Sequence, residues 1–556
     1  MKLPTNLRNI ALVAATVLVG TCIFGGVAYS QKQQKANATD VALTQILTKL
    51  GVTGTLQTDY VKARGKPIDP QLAELGQFLF FDTILSLAND NSCSGCHAPQ
   101  AAFSDTQSIA IGVGSNCVVG PSREGLHNQR RSPSAANAAV YPSLMWNGRF
   151  SAVSGNPFDN SQGYLFPAPE GDQKFAPYDS NVKSLMAAQG HMPSTELVEM
   201  AGTGGTEGLI FAMSKFGGEF GLVQNGTIRR AENTDNAEQK ANNLNVIQFH
   251  KNLLSAPLPN KCGLIAEQVP EARPPLTSPN EPIRLAVLKR LQNDANYVRL
   301  FQRSFPSVAA GEPINFSMVG TALAEFQLKI VMADAPIDRY ARGDLSALTP
   351  DEKAGALIFF GKGNCISCHA VSGNAKELYS DFAMHNIGVP PLYPKLSQPQ
   401  DPGEGNVEFK GPNKDEDLGF AEFIGEQDVS NYYMFRTSPL RNVGLQPTFM
   451  HNGAYTRLSD AIDHHFDPVN ALMKYDPGIA GVRSDLFRVA KNRSAIAATI
   501  DPLLRSPPVL TKAENRQLLA FVSNGLTDPR ARPQEACKLV PTVLPSGRKL
   551  HTFEGC

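Results

Sequence analysis

Two pentapeptides of the form Cys-x-x-Cys-His, Cys93-Ser94-Gly95-Cys96-His97 and Cys365-Ile366-Ser367-Cys368-His369, constrain this 556-residue chain more than any other feature. With 9 Cys and 10 His available, chance placement gives roughly 0.003 copies of the pattern. The spacing is that of covalent c-type haem attachment. Each thiol pair adds across the two vinyl groups of one porphyrin, and the adjacent His lies beneath the iron as its proximal ligand. Zinc knuckles or a redox dithiol are the rival reading, and a zinc site does not need His directly after the second Cys. Two covalently bound haem c groups are therefore expected, with His97 and His369 as iron ligands.

Such a protein has to be exported, and the first 30 residues read that way. Lys2 and Arg8 precede an apolar run from Ile10 to Ala28, and Ala28-Tyr29-Ser30 resembles a small-residue cleavage site. The run is also about as long as a minimal membrane span, so residues 1–30 read as a signal peptide or an N-terminal anchor. Either way the body of the chain is expected in the periplasm. Setting aside Cys22 and the four haem thiols leaves Cys117, Cys262, Cys537 and Cys556, which allow three complete disulfide pairings. Lys plus Arg and Asp plus Glu both total 51; with no net charge, nothing suggests a nucleic-acid partner.

Two stretches look like matching halves. Glu74 to Phe81 leads into the first motif and Glu352 to Phe360 into the second, each with helical apolar spacing before the haem-bearing turn. The layout predicts a mainly α fold of two cytochrome c-like haem domains, over 31–335 and 336–530, with a C-terminal tail at 531–556. Residues 282–333 read as two amphipathic helices broken around Ala309-Gly311-Pro313. Segments 151–185, 201–281 and 390–432 are rich in Gly, Pro, Asn and charge and read as long loop insertions.

Around these motifs stand Arg131-Ser132-Pro133-Ser134, Met145-Trp146-Asn147-Gly148-Arg149, His385-Asn386-Ile387-Gly388-Val389-Pro390, Phe435 to Val443, and Phe449-Met450-His451-Asn452-Gly453. In content and order these blocks resemble the bacterial di-haem cytochrome c peroxidase and MauG family. The resemblance implies that the N-terminal haem meets hydrogen peroxide and that the C-terminal, six-coordinate haem relays electrons. It also implies a distal Gln with Pro four and Glu ten residues beyond it; Gln189, Pro193 and Glu199 reproduce both intervals. A haem that binds peroxide needs an open sixth position and a group that moves protons between the two oxygens. Glu199 is thus the expected acid-base catalyst and Gln189 its hydrogen-bonding neighbour. Trp146 and Gln189 are 43 residues apart, well beyond the family's spacing, so an insertion has to loop out between Phe150 and Lys183, which loops with close ends tolerate. The His that blocks the iron in the family's peroxidases is replaced by Val113. That implies a permanently open haem as in MauG, with His127 or His191 as the other routes to the iron.

The family's sixth ligand to the second haem, Met in peroxidases and Tyr in MauG, lies fourteen residues beyond the His of the His-x-Gly block. From His451 that count reaches His465. Leu458, Ala461, Ile462 and His465 fall at i, i+3, i+4 and i+7, which puts His465 on the apolar face of a short helix and turns His464 elsewhere. Bis-His ligation is expected, with Met450 and His451 as competitors, and should give a lower potential than His/Met. Trp146, the only Trp, falls in the block the family places between its haems and is the expected station for electrons or holes. Calcium, which family members hold between the haems, is opposed by Arg131, a cation where the family has Asn.

Three activities follow from the resemblance. One is peroxide reduction with electrons from a small cytochrome c or cupredoxin. Another is MauG-like, peroxide-driven oxidation of a protein substrate. The third is oxygenation of an apolar polymer, as in the rubber oxygenase RoxA, a relative that also uses bis-His ligation. Gln189 and Glu199 favour peroxide, since they serve proton shuttling. A non-enzymatic electron carrier requires both irons to be six-coordinate. The reductant, and whether the chain forms a homodimer as many peroxidases do, stay open.

Overall fold

The helix before each motif starts on a cap that the sequence carries. The Asp69 carboxylate accepts the backbone N–H groups of Gln71 and Leu72 at 2.9 and 3.1 Å, and Pro70 occupies the first helical position, where no N–H is needed. Thr349 and Glu352 make a capping box ahead of the second motif, with Pro350 in the first turn.

These features come from a computed structural model that describes residues 36–165, 177, 179–180, 182–201, 220–223, 227–230, 281–373, 376–394, 417–424, 428–489 and 491–556. The N-terminal segment 1–30, most of the insertion 201–281 and Cys262 lie outside them. Residues 36–556 belong to one compact unit. Seven helices frame the sites: α1 (Pro70–Phe81), α2 (Leu185–Gln189), α3 (Glu281–Asn293), α4 (Phe316–Lys329), α5 (Pro350–Phe360), α6 (Leu458–Phe466) and α7 (Lys512–Ala520). Strands are two to four residues long, in keeping with a mainly α chain.

The two motif helices are packed by the same device. A Cβ on Gly76 of α1 would lie 1.8 Å from the Ala322 carbonyl oxygen of α4, and one on Gly355 of α5 would lie 2.0 Å from the Gln517 carbonyl oxygen of α7. Glycine alone lets backbone meet backbone at both crossings. Each helix then ends in a Phe pair, Phe80 with Phe81 and Phe359 with Phe360, edge to face at 5.4 and 5.2 Å. Phe326 of α4 completes the first aromatic cluster, 5.1 Å from Phe80. Phe521, just beyond α7, completes the second, 5.5 Å from Phe359. Separate buried cores grow around these clusters.

Several local expectations are revised. Residues 282–333 form more than two helices, because Asp294 caps a new one through the N–H groups of Asn296 and Tyr297 and Pro306 starts another. Part of the stretch expected as loop is strand: Phe150–Ala152 pairs with Ser143–Leu144 and with Tyr164–Leu165. The turn between Leu144 and Phe150, with Met145 and Gly148 in the left-handed region, carries Trp146. Residues 531–556 are built into the first core, where Ala531, Ala536 and Leu544 are buried. Thr552–Phe553 pairs in parallel with Val118–Val119. Of the three pairings open for the cysteines, Cys537 bonds Cys556, and Cys117 is also disulfide-bonded. No helix among the described residues is long and apolar enough to cross a membrane.

Candidate haem sites

The second motif lies at the end of α5, where Asn364 adopts left-handed geometry and Cys365–Ser367 form a tight 3-10 turn. The His369 N–H donates to the Cys365 carbonyl at 2.9 Å, which sets the His beside its two thiols. Because a carbonyl can only accept, the contact of His369 Nδ1 with the Tyr379 carbonyl at 3.0 Å makes Nδ1 the donor and leaves the Nε2 lone pair open. His369 lines a cavity of about 240 Å³ with Cys365 and Cys368, walled by Ile387, Leu440, Val443, Phe449, Leu458 and Ile462. His465, on α6, lines the same cavity and donates Nδ1–H to the Ala461 carbonyl at 2.7 Å, so its Nε2 is open too. The two imidazole centres are 6.5 Å apart. That spacing accommodates one metal with nitrogen bonds of about 2 Å on either side and the half-rings behind them. Burial, then the neighbouring His465, lowers the pKa of His369 to about 4, and burial lowers that of His465. Both are therefore neutral, the form that binds metal. Apolar walls, paired thiols and two open imidazoles suit a covalently held haem.

The rival ligands fare unequally. His464 donates Nε2–H to the Ile387 carbonyl at 2.7 Å and accepts the Tyr455 hydroxyl on Nδ1 at 2.9 Å, so neither nitrogen is open. His451 stacks on Phe435, with ring centres 3.5 Å apart, and turns Nε2 to within 3.7 Å of Asp417. Met450 lines the cavity. His385 bonds Asp501 through Nδ1 at 2.7 Å and Asp381 through Nε2 at 3.1 Å. Asp381 above all, then Cys368 and Asp501, raise its pKa to about 11, so it is a protonated imidazole with no lone pair for a metal.

Trp146 lines the same cavity and is 7% exposed. Its indole N–H donates to the Arg131 carbonyl at 2.6 Å, and its own carbonyl accepts the Arg436 N–H at 2.7 Å. The Arg131 guanidinium donates to Thr448 Oγ1 at 2.7 Å, Gln446 Oε1 at 2.9 Å and Ser104 Oγ. Gln446-Pro447-Thr448 is the segment where the family resemblance implies carbonyl ligands for calcium. Here two of its side chains serve a cation built into the chain.

At the first motif, Cys93–Cys96 form one helical turn closed by the His97 N–H donating to the Cys93 carbonyl at 2.9 Å. Gly95 is pressed onto Asn91, whose Oδ1 would lie 2.1 Å from an added Cβ and which accepts Arg123 Nη2 at 2.7 Å. Burial lowers the His97 pKa to about 4, against the pull of the Phe103 and Pro133 carbonyls. The ring of Phe80 is 6.3 Å away. Among the described residues no second imidazole pairs with His97 as His465 does with His369. Asn91 Nδ2 also donates to the Glu199 carbonyl at 2.7 Å, and Ser86 Oγ to the Met200 carbonyl at 2.7 Å. These bonds fix the π turn Leu197–Ala201 beside the motif. Burial and then the Glu199 charge push the Cys93 thiol up to about 12, so the carboxylate is felt at the attachment site. Gln189 ends α2, half-buried, and Pro193 opens the 3-10 turn between Gln189 and Glu199.

His191 and His127 have partners of their own. His191 contacts the Ala187 and Ala188 carbonyls through Nδ1 and Ser317 Oγ through Nε2. It packs on Phe316 of α4 at 5.6 Å. His127 Nε2 lies 3.6 Å from Asp485. Val113, where the blocking His is absent, is fully buried. Sequence reasoning gave no role to Arg436, which lines the second cavity, or to the Phe pairs behind each motif; their matching position before each Cys-x-x-Cys-His was the available signal.

Comparison with known proteins places the chain in a family. The family model for di-haem cytochrome c peroxidase matches residues 70–217 and 221–346. Methylamine utilization protein MauG of Methylorubrum extorquens is 32% identical over 198 residues, 35% of this chain and 47% of that protein. Cytochrome-c peroxidase IdrP2 of Denitromonas iodatirespirans is 32% identical over 185 residues, 32% of this chain and 47% of that protein. The chain thus spans about half the length of these relatives. The solved diheme peroxidase BthA from Burkholderia thailandensis E264 aligns with a TM-score of 0.48 at 21% identity, covering 87% of this chain and 91% of that one. The chain belongs to the di-haem cytochrome c peroxidase family.

Proposed function

We propose that this chain is a periplasmic enzyme with two haem-bearing lobes that reduces hydrogen peroxide to water. Two electrons enter at the C-terminal lobe from a small cytochrome c or cupredoxin, and two protons are taken up at the N-terminal one. Covalent haem supplies the redox chemistry at both motifs, attached through Cys93 and Cys96 and through Cys365 and Cys368. The observation that carries the reading is the asymmetry between the motifs. His369 faces His465 across 6.5 Å, which supports a six-coordinate relay. His97 has no such partner among the described residues, which supports an open substrate site.

The residues divide the work accordingly. His97 and His369 would bind the irons, and His465 would be the second imidazole ligand at the C-terminal site. Glu199, fixed next to the first motif through its backbone, takes the proton from the near oxygen of peroxide and returns it to the far one, so that the departing group leaves as water. Gln189 orients the peroxide by hydrogen bonding, and Pro193 sets the turn between the two. Trp146 passes charge between the lobes.

A MauG-like reading, in which the oxidising equivalents are drawn from a protein side chain, has its own support in His465 and Val113. A poorer electron acceptor at the second site and a first site without a blocking His both favour it. The electron paramagnetic resonance spectrum of the oxidised protein tests the common core: one high-spin and one low-spin ferric signal are expected. Two low-spin signals would leave an electron carrier. Turnover of peroxide with a reduced small cytochrome, against turnover with a protein substrate alone, then separates the two readings.

A further inference from the structure

Four guanidinium groups are buried around the second motif, and they are of two kinds. Arg130 grips Asp417 through Nε and Nη2 at 2.8 and 2.6 Å and reaches Glu422 at 2.7 Å. Arg441 forks onto Asp338 with bonds of 2.7 and 2.8 Å. Arg131 and Arg436, 2% and 4% exposed, have no carboxylate in hydrogen-bond or ion-pair contact among the described residues. Arg131 donates only to the neutral oxygens of Thr448, Gln446 and Ser104. Arg436 donates to the Met145 and Thr437 carbonyls at 3.0 and 3.2 Å and lies over the Phe382 and Tyr141 rings at 5.4 and 6.0 Å. Burial pulls both down to about 10, with Asp105 opposing for Arg131 and Tyr141 for Arg436. For Arg130 and Arg441 burial acts the same way, but their carboxylates win and raise them above the ordinary arginine value.

A cation taken out of water without an anion destabilises a fold. A chain that does this twice in the wall of one cavity is built for two negative charges that arrive from outside the polypeptide. Arg131 and Arg436 both line the cavity of His369 and His465, and they are its only Arg or Lys side chains. The remaining protonated group, His385, already has Asp381 and Asp501. A haem c carries two propionates, on the edge opposite its thioether bonds.

We propose that Arg131 and Arg436 hold the two propionates of the C-terminal haem, one on each side of Trp146. This rests on the reading of a haem at the second motif. Charge-assisted pairing with guanidinium is the natural match for a carboxylate. It also fixes the relay residue to the haem edge, since the Trp146 indole N–H and carbonyl are bonded to the backbones of these same two residues. Two fixed positive charges next to the porphyrin favour the reduced state and raise the potential of a bis-His haem, which would otherwise be low.

The test uses the full-length holoprotein. Arg131→Gln and Arg436→Gln should each keep the second haem attached and low-spin while shifting its midpoint potential downward and moving the propionate-bending band in its resonance Raman spectrum. Arg131→Lys, which keeps the charge, should restore most of the potential. If neither Gln variant accumulates, Arg131→Lys and Arg436→Lys carry the test: the potential stays near that of the parent, but the propionate band moves because the fork is lost. Unchanged potential and band in both Gln variants, or an unchanged band in both Lys variants, overturns the proposal. A parent protein with no low-spin haem would instead defeat the reading beneath it.

Discussion

In both halves of the molecule a glycine-bearing helix crosses its partner backbone to backbone and presents a Phe pair to the motif. Phe80 lies 6.3 Å from His97, and Phe359 lies 6.4 Å from His369. The proximal side of each site is thus one design used twice. The far sides share nothing. Across from His369 stands α6 with His465, held by the Ala461 carbonyl; beside the first motif stands the π turn with Glu199, held by Asn91. A duplicated scaffold carries both motifs, and unrelated segments set which side chains stand across from each of them. Different chemistry can then arise on equivalent frames.

The firmest way to break this contrast is His465→Ala. The low-spin signal of the second haem should convert entirely to high-spin, with both haems still attached as judged by haem staining of the denatured chain. An unchanged spectrum would transfer the role to Met450. Next in size is Glu199→Gln, which keeps shape and hydrogen bonding but removes acid-base transfer, a step worth about 10²- to 10⁴-fold in rate. Steady-state peroxide turnover should fall by that factor while both resting spectra persist; near-normal turnover would remove Glu199 from the chemistry.

The shared scaffold can be tested from the other direction. Gly76→Ala and Gly355→Ala each drive a methyl group into a facing carbonyl, and overpacking of this kind typically costs about 1–3 kcal/mol. Thermal unfolding of the holoprotein should show losses of similar size for the two, and a harmless substitution at either would mean that the two crossings are not equivalent. The smallest structural effect is expected for Trp146→Phe, which loses the bond to the Arg131 carbonyl, about 1 kcal/mol. Both haem spectra should survive, while oxidation of the second haem after peroxide is added becomes slower in stopped-flow traces. An unchanged rate in a stably folded variant would make Trp146 core only.

Much of the helical frame was legible in the chain because its determinants are local. Asp69-Pro70 and Thr349-Pro350 write their own helix starts, and Leu458, Ala461, Ile462 and His465 share one face of α6 at helical spacing. The helix break at Asp294 was missed although Asp is a strong cap, because the apolar pattern runs through it. The strand at Phe150–Ala152 was missed because its partners lie in a stretch whose composition reads as loop.

By itself the sequence determined the two Cys-x-x-Cys-His motifs and the helices that lead to them. Each is set by residues within a few positions of one another, where bond geometry and hydrogen-bond reach leave few alternatives. Only the tertiary structure decided that Cys537 bonds Cys556, that residues 531–556 complete the first core, and that Arg131 and Arg436 stand around Trp146 with no carboxylate in hydrogen-bond contact among the described residues. Those outcomes join positions up to hundreds of residues apart. A buried charge also has no meaning until it is known which carboxylates the fold brings to it and which it withholds.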